Sequence, residues 1–172
     1  LEDERDDARR ADLRIASAEI LRTKLGESER ALEAYADVLA IAPGHPGAIE
    51  ALEDVLTGSD ATAAVTAARL VAPEFDRAGR HTDLVSALDV LSRSDDHAER
   101  LDSLRKASQV AENGLNDAAQ AFGFEARAAE LALSEEELPN ILARLEMLAN
   151  RTGKHREHAE LLQRVAPDIM DA

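Results

Sequence analysis

Apolar residues recur at three- and four-residue spacings along almost the whole chain, and no segment shows the two-residue alternation of a β-strand. Short polar or Gly- and Pro-containing breaks interrupt this pattern and predict about nine helices. Because connections this short force neighbouring helices to run antiparallel, we expect an all-α chain of antiparallel helical hairpins. The predicted helices cover residues 8–24, 28–42, 46–56, 60–77, 81–92, 96–114, 118–132, 135–151 and 154–166.

Several residues have the chemistry of helix ends. Asp60 or Ser59 is expected to cap the fourth helix, and Asp95 the sixth, because short polar side chains bind the free N–H groups of a first turn. Gly153 follows a helical pattern where a left-handed residue is needed. Pro73 and Pro139 fall inside helical patterns, and each is expected to kink or restart its helix.

Composition narrows the possible partners. The chain has 172 residues, of which 45% are apolar, and a formal net charge of -15. This length suits one domain, and the negative charge repels phosphate backbones, so nucleic acid is not an expected partner. No apolar run is long enough to insert into a membrane. Without cysteine, disulfides and thiolate zinc sites are excluded, and no cofactor is expected. The excess of Arg over Lys favours a GC-rich, bacterial genome.

Residues 13–46 form the clearest copy of an internal repeat, LRIASAEILRTKLGESERALEAYADVLAIAPGHP. Ala18 and Ala31 are small enough for two helices to cross closely, Tyr35 fills the space before the next hairpin, and Pro43 ends the second helix. With Gly26 near the turn, the pattern resembles a tetratricopeptide repeat, whose period is about 34 residues. The resemblance implies hairpins stacked into a right-handed superhelix.

Weaker copies of the repeat follow at residues 66–92, 99–131 and 138–165. The helix at 46–56 is interpreted as an insertion between copies, because it lacks a full partner in this register. The chain is similar to the long tetratricopeptide arrays of some bacterial scaffold proteins. We therefore expect residues 1–172 to form a single solenoid domain. Because the chain begins with Leu rather than Met, we also expect it to belong to a longer repeat protein.

The resemblance implies a binding surface as well. In tetratricopeptide proteins the first helix of each hairpin lines a concave groove, which binds a peptide or a partner helix. Arginines there would hold carboxylates or backbone carbonyls, since guanidinium suits bidentate contacts. The alternative is a solvated face held by ion pairs within a helix, such as Asp102 with Arg105. The groove residues carried over by position are Arg22, Arg69, Arg77, Arg105, Gln109, Asn113, Met147 and Arg151.

Two functions follow from this interpretation. The first is a protein–protein interaction scaffold that binds a protein or peptide on its concave face. The second is a passive spacer or oligomerisation segment of a larger repeat protein. In that case the terminal helices are expected to self-associate, and the last helix carries an apolar stripe of Leu161, Leu162, Val165 and Ile169.

Catalysis and metal binding are not expected. The sequence has no Gly-rich phosphate loop, no GxSxG and no HExxH motif. His155 and His158 have a spacing that allows two imidazoles to share a metal, but no third ligand is evident from the sequence. The chain is therefore predicted to be neither an enzyme nor a metalloprotein.

Overall fold

The computed structural model describes residues 2–133 and 136–170, and the side chains of 9–133 and 136–165. Within those ranges every regular element is helical, and there are nine helices, as predicted. The first continues into a π-helical turn, Leu21–Leu25. The helices are α1 (Glu2–Ile20), α2 (Ser28–Ile41), α3 (Pro46–Leu56), α4 (Ala61–Arg77), α5 (His81–Leu91), α6 (His97–Asn113), α7 (Ala118–Leu131), α8 (Leu138–Thr152) and α9 (His155–Met170).

Aspartates begin three of these helices. The Asp60 side chain accepts a hydrogen bond from the Ala63 N–H at 3.0 Å, which confirms the predicted cap of α4. The cap of α6 was predicted one residue too early, because Asp96 and not Asp95 accepts from the Ala98 N–H, at 2.9 Å. Asp96 has the extended backbone that lets its side chain turn back towards the first turn.

Helix ends agree with the turn chemistry of the sequence. Gly153 follows α8 with a φ of 73°, the left-handed conformation that was predicted for it. Asn116, between α6 and α7, also has a positive φ, 55°, which asparagine tolerates better than most residues. Pro139 lies in the first turn of α8, so the helix begins there, as expected. Pro73, by contrast, lies inside α4 and does not restart it, since the helix continues from Ala61 to Arg77.

The chain divides into two compact units, Leu1–Asp83 and Leu84–Ala172. In unit 1, α1 packs against α2 and α3 packs against α4, while α1 also contacts α3 and α2 contacts α4. The helix at 46–56 is therefore not an insertion. Its apolar residues at helical spacing, Ala48, Ala51, Leu52 and Val55, are buried, and such a face requires a partner helix.

The core of unit 1 combines small and aromatic side chains. Ala18 and Ala31 are fully buried, as the repeat pattern predicted, and Tyr35 is 0% exposed. Beside α4, the Arg80 guanidinium lies 4.5 Å from the centre of the Phe75 ring. Arg80 also binds Glu53 of α3 at 2.7 Å, which ties α3 to the end of α4.

In unit 2, as in unit 1, helices that follow one another in the chain pack against each other. In it α6 packs on α7, α7 on α8, and α9 on both α7 and α8. Leu161 and Val165 of α9 are buried, whereas Leu162 is 36% exposed, and the side chain of Ile169 lies outside the described residues. The apolar stripe that was predicted on the last helix is therefore partly buried in the core of unit 2. The single domain over 1–172 stays a prediction.

Candidate functional site

A groove runs between α5 and α7 in unit 2. It has a volume of about 470 Å³ and is lined by Val85, Ser86 and Asp89 on α5 and by Gln120, Gly123, Phe124 and Arg127 on α7. On each helix these positions recur every three or four residues, so they form one face. Val85 and Phe124 are buried, while Ser86, Gln120 and Gly123 are exposed. The groove thus has an apolar floor and polar walls.

Arg127 is the cationic residue among those that line this groove. Its guanidinium donates to Asp89 Oδ1 and to the Ser92 hydroxyl, each at 2.5 Å, and lies 5.7 Å from the centre of the Phe124 ring. Burial raises the pKa of Asp89, but the hydrogen bond and charge of Arg127, with those of Arg93, outweigh it and hold the pKa below its ordinary value. Asp89 therefore stays ionised and keeps Arg127 in place.

Gly123 lies in the middle of α7 and faces this groove. A Cβ built on Gly123 would meet no heavy atom within 4 Å, and its φ is not positive. Neither steric crowding nor backbone conformation therefore requires glycine here. A glycine inside a helix costs about 1 kcal/mol relative to alanine. What its missing side chain provides is open space above the groove floor.

A second polar cluster in unit 2 joins three helices. Arg144 on α8 binds Glu125 of α7 at 3.1 Å and Glu112 of α6 at 2.6 Å. Arg151, one of the predicted groove residues, also binds Glu112. The Glu125 side chain is only 2% exposed and Arg151 is 46% exposed, so this cluster holds α6, α7 and α8 together from the interior outwards to the surface.

Arg22, another predicted groove residue, belongs to a cluster in unit 1. It binds Glu19 at 3.1 Å and lies 3.6 Å from Asp54 of α3. The Tyr35 hydroxyl donates to the same Glu19 carboxylate. Burial raises the pKa of Glu19, but hydrogen bonds from Tyr35 and Arg22 outweigh it and lower the pKa overall. Arg22 therefore stabilises the first hairpin through these contacts.

The predicted groove residues are distributed over both units. Arg22 follows α1, which contacts α2 and α3, whereas Arg69 and Arg77 lie on α4. Arg69 is exposed, and Arg77 binds the buried Glu74 one turn earlier. The other five lie on α6 and α8, which the Glu112 contacts join. They are Arg105, Gln109, Asn113, Met147 and Arg151.

The predicted residues on α6 and α8 differ in solvent exposure and in ion pairing. Arg105 is half-buried, and no ion pair joins it to Asp102 or to any other residue that the structure describes. Gln109 and Asn113 are exposed on α6. Met147 is 44% exposed on α8. Arg151 is also exposed, at 46%, but unlike Arg105 it is held in an ion pair, with Glu112.

Sequence reasoning missed the α5–α7 groove. None of its lining residues belongs to the predicted set, because the repeat register assigned the binding surface to other helices. One local signal was present, since Gly123 interrupts the helical segment with a residue that helices disfavour. The pairing of Arg127 with Asp89 carries no sequence signal, because 38 residues separate the two.

In residues 2–133 and 136–170, no helix has both the length and the apolarity to cross a membrane. No group of three His, Asp or Glu side chains in the described part of the chain is arranged to hold a metal ion.

No protein-family model matches the chain, and neither a curated protein nor a solved structure shows significant similarity to it. The tetratricopeptide resemblance therefore stays a prediction.

Proposed function

We propose that this chain is a protein–protein interaction scaffold and that a segment of its partner lies in the α5–α7 groove. The observation that carries the proposal is Gly123, a mid-helix glycine that packing does not require and that leaves the groove floor uncovered. A volume of about 470 Å³ falls within the range of ordinary ligand sites. Where a side chain is missing, the main chain of a peptide can approach the helix closely.

The polar walls suit an extended peptide. The exposed amide of Gln120 can both donate to a peptide carbonyl and accept from a peptide N–H. Arg127, already held by Asp89 and Ser92, lines the groove and is 42% exposed, so it keeps N–H groups that can donate to a peptide carbonyl. Because Asp89 and Ser92 hold Arg127 before binding, little of its side-chain entropy is lost when the peptide arrives.

Peptide-display selection on the purified chain tests this proposal. Peptides that bind the native chain are expected to bind Gly123→Leu at least about tenfold more weakly, since the new side chain would occupy the floor. Gly123→Ala is the matched control, because its methyl group meets nothing within 4 Å. Selected peptides that bind Gly123→Leu as tightly as the native chain would contradict the assignment.

A third variant tests whether the peptides bind the α6–α8 face instead of the α5–α7 groove. Arg105→Ala removes the predicted groove arginine that has no ion-pair partner among the described residues, so core contacts change little. If the selected peptides lose affinity for Arg105→Ala and not for Gly123→Leu, the binding surface is the α6–α8 face that the repeat pattern implied.

A second function, oligomerisation through α1, is favoured by one observation. Leu13 is 66% and Ile20 56% exposed, and the two lie seven residues apart on one face of α1. Sedimentation equilibrium distinguishes this role from the scaffold. A concentration-dependent dimer that disappears in the Leu13→Ser, Ile20→Ser double variant would support it, and a monomer at all concentrations would exclude it.

A further inference from the structure

A second groove lies in unit 1, between α2 and α4. Its volume is about 600 Å³, which exceeds that of the α5–α7 groove. The floor is apolar and consists of Leu32, Ala36, Ala63 and Leu70. Leu32 is 5% and Ala63 7% exposed, while Ala36 and Leu70 are half-buried. Two packed helices thus leave an open apolar channel, the kind of surface that receives an amphipathic helix.

The rim of this channel is acidic. Glu29 and Glu33 stand one turn apart on α2, both exposed, and Asp60 lies on the opposite wall. No Lys or Arg is among the described residues that line the groove. All charges that face an occupant therefore have the same sign.

Helix ends explain two of these three carboxylates but not Glu33. Glu29 lies in the first turn of α2, where a carboxylate complements the helix dipole, and Asp60 caps α4. Glu33 lies beyond the first turn, and like charges at this spacing repel. Neither glutamate forms a hydrogen bond or an ion pair with any residue that the structure describes. The nearby Arg30 is directed to Glu27.

We infer that the α2–α4 groove binds a cationic amphipathic helix of a partner protein. The apolar face of that helix would cover Leu32, Ala36, Ala63 and Leu70, and its Lys or Arg residues would meet the three rim carboxylates. The net charge of -15 would attract such a segment at long range and raise its association rate. The site is independent of the α5–α7 groove, since it belongs to the other unit and shares no residue with it.

A synthetic helical peptide of Leu and Lys, with Leu on one face, is the probe. Because the chain has no cysteine, a Thr62→Cys variant carries a single polarity-sensitive fluorophore at the groove wall. The peptide is expected to saturate the signal at one per chain. A peptide with Glu in place of Lys should not bind, and a scrambled peptide of the same composition should bind at least about tenfold more weakly.

Charge variants separate this site from general attraction to an acidic protein. The Glu29→Gln, Glu33→Gln pair should weaken binding about fivefold and reduce its salt dependence, since each exposed ion pair contributes modestly. The Glu146→Gln, Glu157→Gln pair is the matched control, because it removes the same charge from exposed positions in unit 2. Gly123→Leu should leave this binding unchanged, so failure here is distinguishable from failure of the α5–α7 proposal.

Three results would overturn the inference. The first is the absence of saturable binding by the Leu and Lys peptide. The second is equal binding of the scrambled peptide, which would show that no helical face is recognised. The third is an equal loss in the control pair, which would reduce the effect to net charge.

Discussion

The hydroxyl of Tyr35 on α2 donates a hydrogen bond to the carboxylate of Glu19 on α1, and Arg22 binds the same carboxylate at 3.1 Å. Tyr35 is fully buried, so its ring packs in the core while its one polar atom reaches the partly exposed Glu19. A single side chain thus provides both apolar contact and a charge-assisted bond between the helices of the first hairpin.

Two substitutions of Tyr35 separate these contributions. Tyr35→Ala removes the ring and the bond, and we expect a loss of about 3 kcal/mol in the free energy of unfolding. Tyr35→Phe keeps the ring and should cost about 1.5 kcal/mol, since a bond to a charged acceptor is lost. Urea unfolding followed by circular dichroism measures both. An unchanged Tyr35→Ala midpoint would show that Tyr35 is not part of the core.

Alkaline titration gives a direct reading of the same contact. Burial, together with the Glu19 hydrogen bond and charge, raises the pKa of Tyr35 well above its ordinary 10.0. The chain has one Tyr and no Trp, so tyrosinate absorbance reports on this residue alone. We expect ionisation only when helical circular dichroism is lost. A midpoint near 10.0 in a chain that remains helical would contradict the buried hydrogen bond.

Acid should reduce the contribution of the Glu19, Tyr35 and Arg22 contacts to the free energy of unfolding. Because the pKa of Glu19 in the folded chain lies below its ordinary 4.5, its contribution to stability is present at neutral pH. That contribution is lost as the pH falls through 4.5 towards the lower folded value. Urea unfolding at neutral pH and in acid compares the native chain with Glu19→Gln. The variant should be less stable at neutral pH and lose less on acidification, whereas equal losses would exclude a role for Glu19.

The helices of this chain could be predicted from the sequence because their signals are local. The spacing of apolar residues located α3 at 46–56, and a single aspartate marked the start of α4. The pairing of α3 was predicted wrongly, because repeat spacing compares segments of the chain and does not register which buried faces meet. Its face from Ala48 to Val55 finds its partners in α4 and α2.

The surroundings of the predicted groove arginines were less predictable than the helices, because these arginines pair with carboxylates that are distant in the sequence. Arg151 binds Glu112, 39 residues away, and Arg22 lies beside Asp54. Periodicity shows that such an arginine is on a helix but not which carboxylate it meets. Gly123, by contrast, can be recognised in the sequence as a residue of low helix propensity inside a helical segment. The structure adds that Gly123 lines the α5–α7 groove.

The ion pair between Arg144 and the buried Glu125 tests how much the three-helix cluster contributes to the stability of unit 2. Arg144→Met should cost about 3 kcal/mol, because it leaves the carboxylate of Glu125, whose side chain is 2% exposed, without a counter-charge. Glu125→Leu combined with Arg144→Met removes both charges and should recover the part of that loss that comes from the unpaired Glu125, since an apolar pair of similar volume has no desolvation penalty.

A double-mutant cycle by urea unfolding measures the coupling of the two residues. The cycle includes the Glu125→Leu single variant. Loss of the Arg144–Glu112 contact is common to Arg144→Met and to the double variant and therefore cancels, so the cycle isolates the Arg144–Glu125 pair. Arg164→Met is the control, because Arg164 also bridges two helices, to Glu130, but is 63% exposed and should change stability by less than about 1 kcal/mol. If Arg144→Met costs no more than Arg164→Met, water reaches Glu125 and the three-helix cluster is not a buried one.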